Sequence, residues 1–201
     1  MTTPRDLLII TMDVSSSRPV EQGDLSLALA GAELVDLLGA QALTLDDDRI
    51  VPGPQGTLDD HLLEEAASSL VREQPYESVE DRLWRRGRDL SAAYLTDLGA
   101  GAHLNPRRHR WLPGRTDRPE LPDSPARRHA TDRLASGEPV LAALAAAVGV
   151  QDERPEEATR ITDDAIATVL AAVNDAITEL ESVRQRKRVE DAAFDNIWRG
   201  M

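Results

Sequence analysis

Three kinds of residue in this chain have types and spacings that could do chemistry: acids, small loop residues and arginines. Asp59, Asp60, His61, Glu64 and Glu65 form an acidic run with one histidine. His61 and Glu65 are four apart, so on a helix they share a face and could converge on a metal. The same acids are also what the first turn of a helix wants, because they complement its positive end. Asp46, Asp47 and Asp48 are consecutive, whereas a calcium loop spaces its oxygens at alternate positions around a required glycine. A hairpin tip suits them better. The loop from Gly53 to Gly56 lacks the Gly-Lys-Ser/Thr of a phosphate loop. No Gly-x-Ser-x-Gly nucleophile elbow occurs, and the four histidines all sit beside charged or loop residues. No constellation points to an enzyme, a metal site or a cofactor.

The arginines are the remaining candidates. Arg82, Arg85, Arg86 and Arg88 crowd one helical stretch, and Arg107, Arg108 and Arg110 lie in a later loop. Guanidinium forks match phosphate oxygens in bidentate geometry. The competing reading is a solvated face balancing the 36 acids.

The elements that must position these groups are helical. Of the 201 residues, 41% are hydrophobic and only 3% aromatic, so the core is built from Leu, Ala and Val. That composition favours helices over sheets and suits one domain spanning 1–201. Leu7 to Val14 is a short apolar run, a helix or a buried strand, broken by residues 15–19. Asp24 is a plausible N-cap for a central helix that is apolar almost all round and ends near Gly39. Leu43 to Val51 reads as a small hairpin. Leu62, Leu63, Ala66, Ala67 and Leu70 form a helical stripe, which Gln74-Pro75 ends because proline lacks an N–H. Ser78 stands before the next helix as an N-cap, with Asp81 completing an imperfect capping box. A helix from about Arg88 to Leu98 is stopped by Gly99 and Gly101. Residues 103–122 offer a second hairpin around Trp111 and Leu112. Ser124 and Pro125 open a further helix. Residues 139–148 are apolar throughout and predict a buried helix. From Thr162 to about Gln185 runs an amphipathic helix facing inward with Ile166, Leu170, Val173, Ile177 and Leu180. Its end, RQRKR at 184–188, is solvated. The expected core includes Leu29, Leu34, Leu63, Leu70, Leu83, Leu98, Leu141 and Leu144.

Bulk properties narrow the function classes. There is no cysteine, which excludes disulfides and cysteine-based metal sites. The net charge of −13 disfavours nucleic acid and opposes loose adsorption to anionic membranes, although a local basic patch can still act. Nothing approaches the ~20 apolar residues of a membrane span, and the N-terminal apolar run lacks a basic lead-in and a cleavage site. A cytoplasmic protein, at most peripheral to a membrane, is expected.

The stretch LLEEAASSLVREQPYESVEDRLWR resembles the signature of the Golgi phosphoprotein three family: an LLDEAL-type helix, a break at Gln/Arg-Pro, then a second amphipathic helix. Leu27 to Leu38 is similar to that family's first long buried helix. Leu43–Leu45 and Arg49–Val51 are similar to its hairpin, and Pro54-Gln55-Gly56 to its Pro-Thr-Gly. The likeness runs from about Leu7 to Val148, and the short, arginine-biased chain resembles a bacterial-type member.

The resemblance implies a mainly α fold with two small hairpins. It implies a non-enzymatic peripheral membrane adaptor that holds phosphatidylinositol 4-phosphate or another anionic lipid, binds protein partners, and self-associates through the 103–122 hairpin by way of Trp111 and Leu112. The family's lipid pocket uses a tryptophan ahead of the first long helix, an arginine within it, and two arginines three apart on a later helix. Those positions fall here at Glu21, Ala30, Arg88 and Ser91. Arg88 therefore carries the expectation of an anion site, with Arg85 and Arg86 as neighbours that a shifted alignment would bring in. The alternative is a soluble scaffold or regulator that kept the fold and lost the lipid.

Overall fold

The computed structural model describes residues 2–13, 20–54, 56–101, 124–150 and 161–199. Among these the protein is mainly α, with eight helices and one antiparallel pair of strands. In chain order they are α1 (Thr3–Asp13), α2 (Gln22–Gly39), β1 (Leu43–Asp46), β2 (Arg49–Pro52), α3 (His61–Ser68), α4 (Val79–Arg86), α5 (Leu90–Gly101), α6 (Pro125–Ala135), α7 (Pro139–Ala147) and α8 (Asp164–Arg199). The second hairpin expected over 103–122, with Trp111 and Leu112, lies outside the described residues.

Helix α2 is the centre. It is buried on nearly every side, and α1, α3, α4, α5, α7 and α8 all pack on it. The crossing with α8 is close because Gly31 has no side chain: a Cβ there would lie 2.3 Å from Val173 Cγ2. Buried residues from all eight helices and the hairpin join in one apolar cluster. Leu29, Leu34, Leu63, Leu70, Leu83, Leu141 and Leu144 are buried in it, as expected, while Leu98 is only half-buried against its edge.

Local rules set several boundaries. Ser78 Oγ accepts the Asp81 N–H at 3.0 Å, and Ser124 Oγ accepts the Arg127 N–H at 3.1 Å with Pro125 in the first turn. Asp60 caps α3 by accepting from the Leu62 and Leu63 amides. The hairpin pairs Leu43 with Pro52 and Asp46 with Arg49, and Asp47 at its tip takes a positive φ of 52°.

Other boundaries differ from expectation. The opening apolar run is a helix, α1, and its burial comes from packing against α2, α6 and α7. Helix α2 begins at Gln22 with Glu21 at the N-cap, so Asp24 sits inside the first turn and gives its carboxylate to Arg184 at 2.7 Å instead of capping. Helix α5 runs through Gly99 to Gly101, since a helical glycine costs only about 1 kcal/mol relative to alanine. Helix α8 continues past Gln185 to Arg199. Helix α3 stops at Ser68, well before Gln74-Pro75. Its last carbonyls are taken by guanidinium groups from α4, so tertiary contacts, not the proline, close the helix.

Candidate anion-binding site

The arginines of α4 divide into two groups that face different surroundings. Arg82 is the largest fully buried side chain, 1% exposed. It donates to Ala66 O at 2.7 Å, to Ser69 O at 2.9 Å and to Ser69 Oγ at 3.0 Å. A cation at the carbonyl end of α3 is favoured by the helix dipole and satisfies acceptors the helix leaves open. Burial pulls the pKa of Arg82 down to about 10, with nearby Glu77 opposing, so it is still a cation at neutral pH.

Arg85 makes a fork with Glu77, at 2.7 Å through Nη2 and 3.1 Å through Nε, and also reaches Ser69 O. Arg86 is forked onto Glu33 of α2 at 2.9 and 3.0 Å, pairs with Glu65 at 2.7 Å and donates to Leu62 O. Tyr94 of α5 donates to the same Glu33 at 3.0 Å. Burial lifts the Glu33 carboxyl above its usual range, against the pull of Arg86 and Tyr94. Burial weighs against charge on Arg86 too, but its bonds to Glu33 and Glu65 win and its pKa is raised. Arg86 is therefore a permanent cation, and Glu33 is the member of the pair that titrates. Arg85 and Arg86 thus knit α2, α3 and α4 together, and neither is among the residues that line the groove beside Arg88.

Arg88 is placed differently. It follows the end of α4, is exposed, and among the described residues has no ion-pair or hydrogen-bond partner. It lines a groove of about 270 Å³ together with Gln22, Gly23, Ser26, Leu27, Trp84, Gly87, Asp89 and Leu180. That is near the small end of ligand sites, about 300–1,000 Å³. One wall is the first turn of α2. The N-cap there, Glu21, makes no side-chain cap bond, so the first amides of the central helix lack a side-chain acceptor. A helix start of this kind carries partial positive charge toward an anion. Gly87 lets α4 end against α2, because a Cβ would lie 3.3 Å from Leu27 Cδ2 and 2.6 Å from Leu83 O.

The other positions suggested by the resemblance scatter. Glu21 is the N-cap of α2, next in sequence to Gln22 of the groove but not itself in its lining. Ala30 is buried at 1% exposure and Ser91 at 0%, the latter donating its amide to Ser26 Oγ at 3.1 Å. Neither Ala30 nor Ser91 reaches the groove. The groove also draws in Trp84 from α4, which the sequence did not single out, and Leu180 from α8, which the sequence placed on the inward face of that helix; Arg184, expected at its solvated end, is half-buried beside the groove and paired with Asp24. A Cβ on Gly23 would lie 2.6 Å from Arg184 Nη2. The signal for Arg184 was present, since it stands one helical turn past Leu180 on the inward stripe of α8. The signal for Trp84 was not, because an indole next to an arginine run has no fixed partner in sequence.

The remaining candidates part company. His61 Nε2 lies 3.5 Å from Asp97, while Glu65 goes to Arg86. Among the described residues no group of three His, Cys, Asp or Glu could hold a metal. A smaller groove of about 170 Å³ lies between α3 and the Pro54–Gly56 loop, but its arginine, Arg72, is occupied by Gly53 O at 3.2 Å. No helix among the described residues is long and apolar enough to cross a membrane.

No curated protein and no solved structure matches the chain. The family model described as Golgi phosphoprotein 3 (GPP34) matches residues 4–180.

Proposed function

Because the chain belongs to the Golgi phosphoprotein 3 family, we propose that it is a non-enzymatic peripheral membrane adaptor that takes an anionic lipid headgroup, a phosphorylated inositol above all, in the Arg88 groove. The observation that carries this reading is the unpaired Arg88 beside the uncapped start of α2. In a chain of net charge −13, the groove brings an unpaired guanidinium and the first turn of α2 together with a single acid, Asp89, in its lining. Phosphate oxygens would accept from the guanidinium fork and from the amides of α2. Trp84, Leu27 and Leu180 would meet the ring or the upper part of the lipid. Arg85 and Arg86 support the site indirectly, by fixing the α4 end that presents Arg88.

The adaptor acts at the cytoplasmic face of a membrane and binds protein partners through other surfaces. Self-association through residues 103–122, anchored by Trp111 and Leu112, belongs to the same reading. Deleting residues 110–119 lowers the mass in light scattering if that segment is the interface.

The test is sedimentation with phosphatidylcholine vesicles that carry a phosphorylated inositol lipid. Wild type is expected to bind at low salt, and Arg88→Ala to bind more weakly than Arg72→Ala. If wild type fails to sediment even at ~0.01 M salt, where the Debye length is ~30 Å, the lipid role falls. The chain would then be a soluble scaffold.

A further inference from the structure

Beyond Arg184, α8 leaves the body of the protein. Residues 185–191 are all exposed, so the helix runs on without tertiary support. The stripe that carries Val169, Val173, Ala176 and Leu180 against α2 and α4 does not end there. At helical spacing of three and four it continues to Arg184, Lys187 and Arg188. The apolar seam of α8 therefore changes, within two turns, into a basic edge on the same side as the groove. Lys187 and Arg188 lie about 10–12 Å along the axis from Leu180, at a rise of ~1.5 Å per residue. That is close to a Debye length of ~8–10 Å.

Four of the five residues from Arg184 to Arg188 are cations. Arg184 is paired with Asp24, and Arg188 donates to its own helix neighbour Gln185. Arg186 and Lys187 have no hydrogen-bond or ion-pair partner among the described residues. The acids Glu181, Glu190 and Asp191 bracket the run, so the positive charge is a short patch. Its near end, Arg184, packs beside Gly23 of the groove that Arg88 and Asp89 line, and is paired there with Asp24.

We propose that this projecting basic end of α8 lies along an anionic bilayer while the groove holds one headgroup from the same surface. The inference rests on the lipid reading of the groove and adds its partner geometry. The protein would recognise a membrane by two adjacent contacts, one shaped and one electrostatic. A soluble headgroup could use only the first. Linked contacts on one surface strengthen each other because the second forms at high local concentration.

The test compares two probes and two variants of the full chain. The probes are a soluble inositol phosphate, followed by calorimetry, and phosphatidylcholine–phosphatidylserine vesicles carrying a phosphorylated inositol lipid, followed by sedimentation. The variants are Arg88→Ala and the double substitution Lys187→Gln with Arg188→Gln. Glutamine keeps helix propensity, and circular dichroism checks that α8 persists. Each cation near an anionic surface contributes about fivefold in affinity. The double variant is expected to lose about thirtyfold on vesicles, with a shallower salt dependence, and to keep its affinity for the soluble probe. Arg88→Ala is expected to lose both. If the double variant binds vesicles like wild type while Arg88→Ala does not, the α8 contact is refuted and the groove reading survives. If only the double variant loses vesicle binding, the two-part contact is refuted because the groove is idle. Absence of wild-type binding to either probe refutes both readings.

Discussion

Two arginines of one short segment, Arg86 and Arg88, show how neighbours decide what a residue is for. Arg86 points into the bundle and finds Glu33, 1% exposed, Glu65 and a backbone carbonyl. Arg88, two residues later and past the end of α4, finds an open groove and, among the described residues, no acid in pairing distance. The two are chemically identical, but Arg86 is claimed by Glu33, Leu62 and Glu65, each more than 20 positions away in sequence, while Arg88 is left facing a groove shared with α2 and α8. A run of arginines therefore cannot be read as one site. Each cation must be followed to its partner, and the one left without a partner carries the functional reading.

The comparison breaks most visibly in stability. Arg86→Ala leaves the Glu33 carboxylate buried without its cation, a kind of change that typically costs ~3–5 kcal/mol. The expected result is a large drop in the urea midpoint with little change in slope. A drop under about 0.5 kcal/mol would mean that the α2–α4 fork is not formed.

Gly31→Ala sharpens the geometric side. The added methyl meets Val173 Cγ2 at 2.3 Å, and a β-branched valine has few rotamers to retreat into. Overpacking of this kind costs ~1–3 kcal/mol. It should also shift α8 away from α2 and so weaken vesicle binding, because Leu180 and Arg184 travel with α8. Unchanged stability would show that the crossing is looser than described.

The pH dependence separates Glu33 from Asp60. Folding raises the Glu33 pKa above its usual 4.5, so the folded state holds the extra proton and stability from this group falls as pH rises through the window above 4.5. Asp60 behaves oppositely. Burial alone would raise it, but its bond from Arg5 and the α3 amides outweigh that and hold it below its usual 3.8. Its contribution is full above 3.8 and lost as pH falls below that. Urea unfolding across pH 3 to 8 (an experimental range of about five units) should show a decline on the alkaline side of pH 4.5 that Glu33→Gln flattens. A variant slope equal to that of wild type would assign the decline to other groups.

Much of the fold is legible in the chain because local rules and tertiary packing agree there. Ser78 and Ser124 cap where serine before an apolar repeat should cap. Gly39 ends α2 as expected, and the three aspartates turn the hairpin. Legibility fails where distant residues override local signals. Asp24 looks like a cap but is claimed by Arg184, 160 positions away. The proline at 75 looks like the end of α3, yet Arg82 and Arg85 close that helix earlier. Gly99 looks like a stop, but one glycine is a small penalty within a packed helix. Of the site, Arg88 could be read from the resemblance. Trp84 could not, and although the stripe of α8 was readable, its docking at the start of α2 was not, because only the fold brings the two together.

The smallest expected effect on stability is also the most informative substitution. Arg88→Ala removes an exposed, unpaired side chain and should change folding stability by no more than about 0.5 kcal/mol. Its effect on binding should be large. The direct test is therefore one paired measurement on the same preparations: urea midpoint and sedimentation with vesicles bearing a phosphorylated inositol lipid, for wild type and Arg88→Ala. The account predicts equal midpoints, salt-sensitive binding by wild type, and binding lost or strongly weakened in the variant. Equal binding by the two proteins would contradict it, and so would a wild type that stays in solution at ~0.01 M salt, where surface charge is least screened.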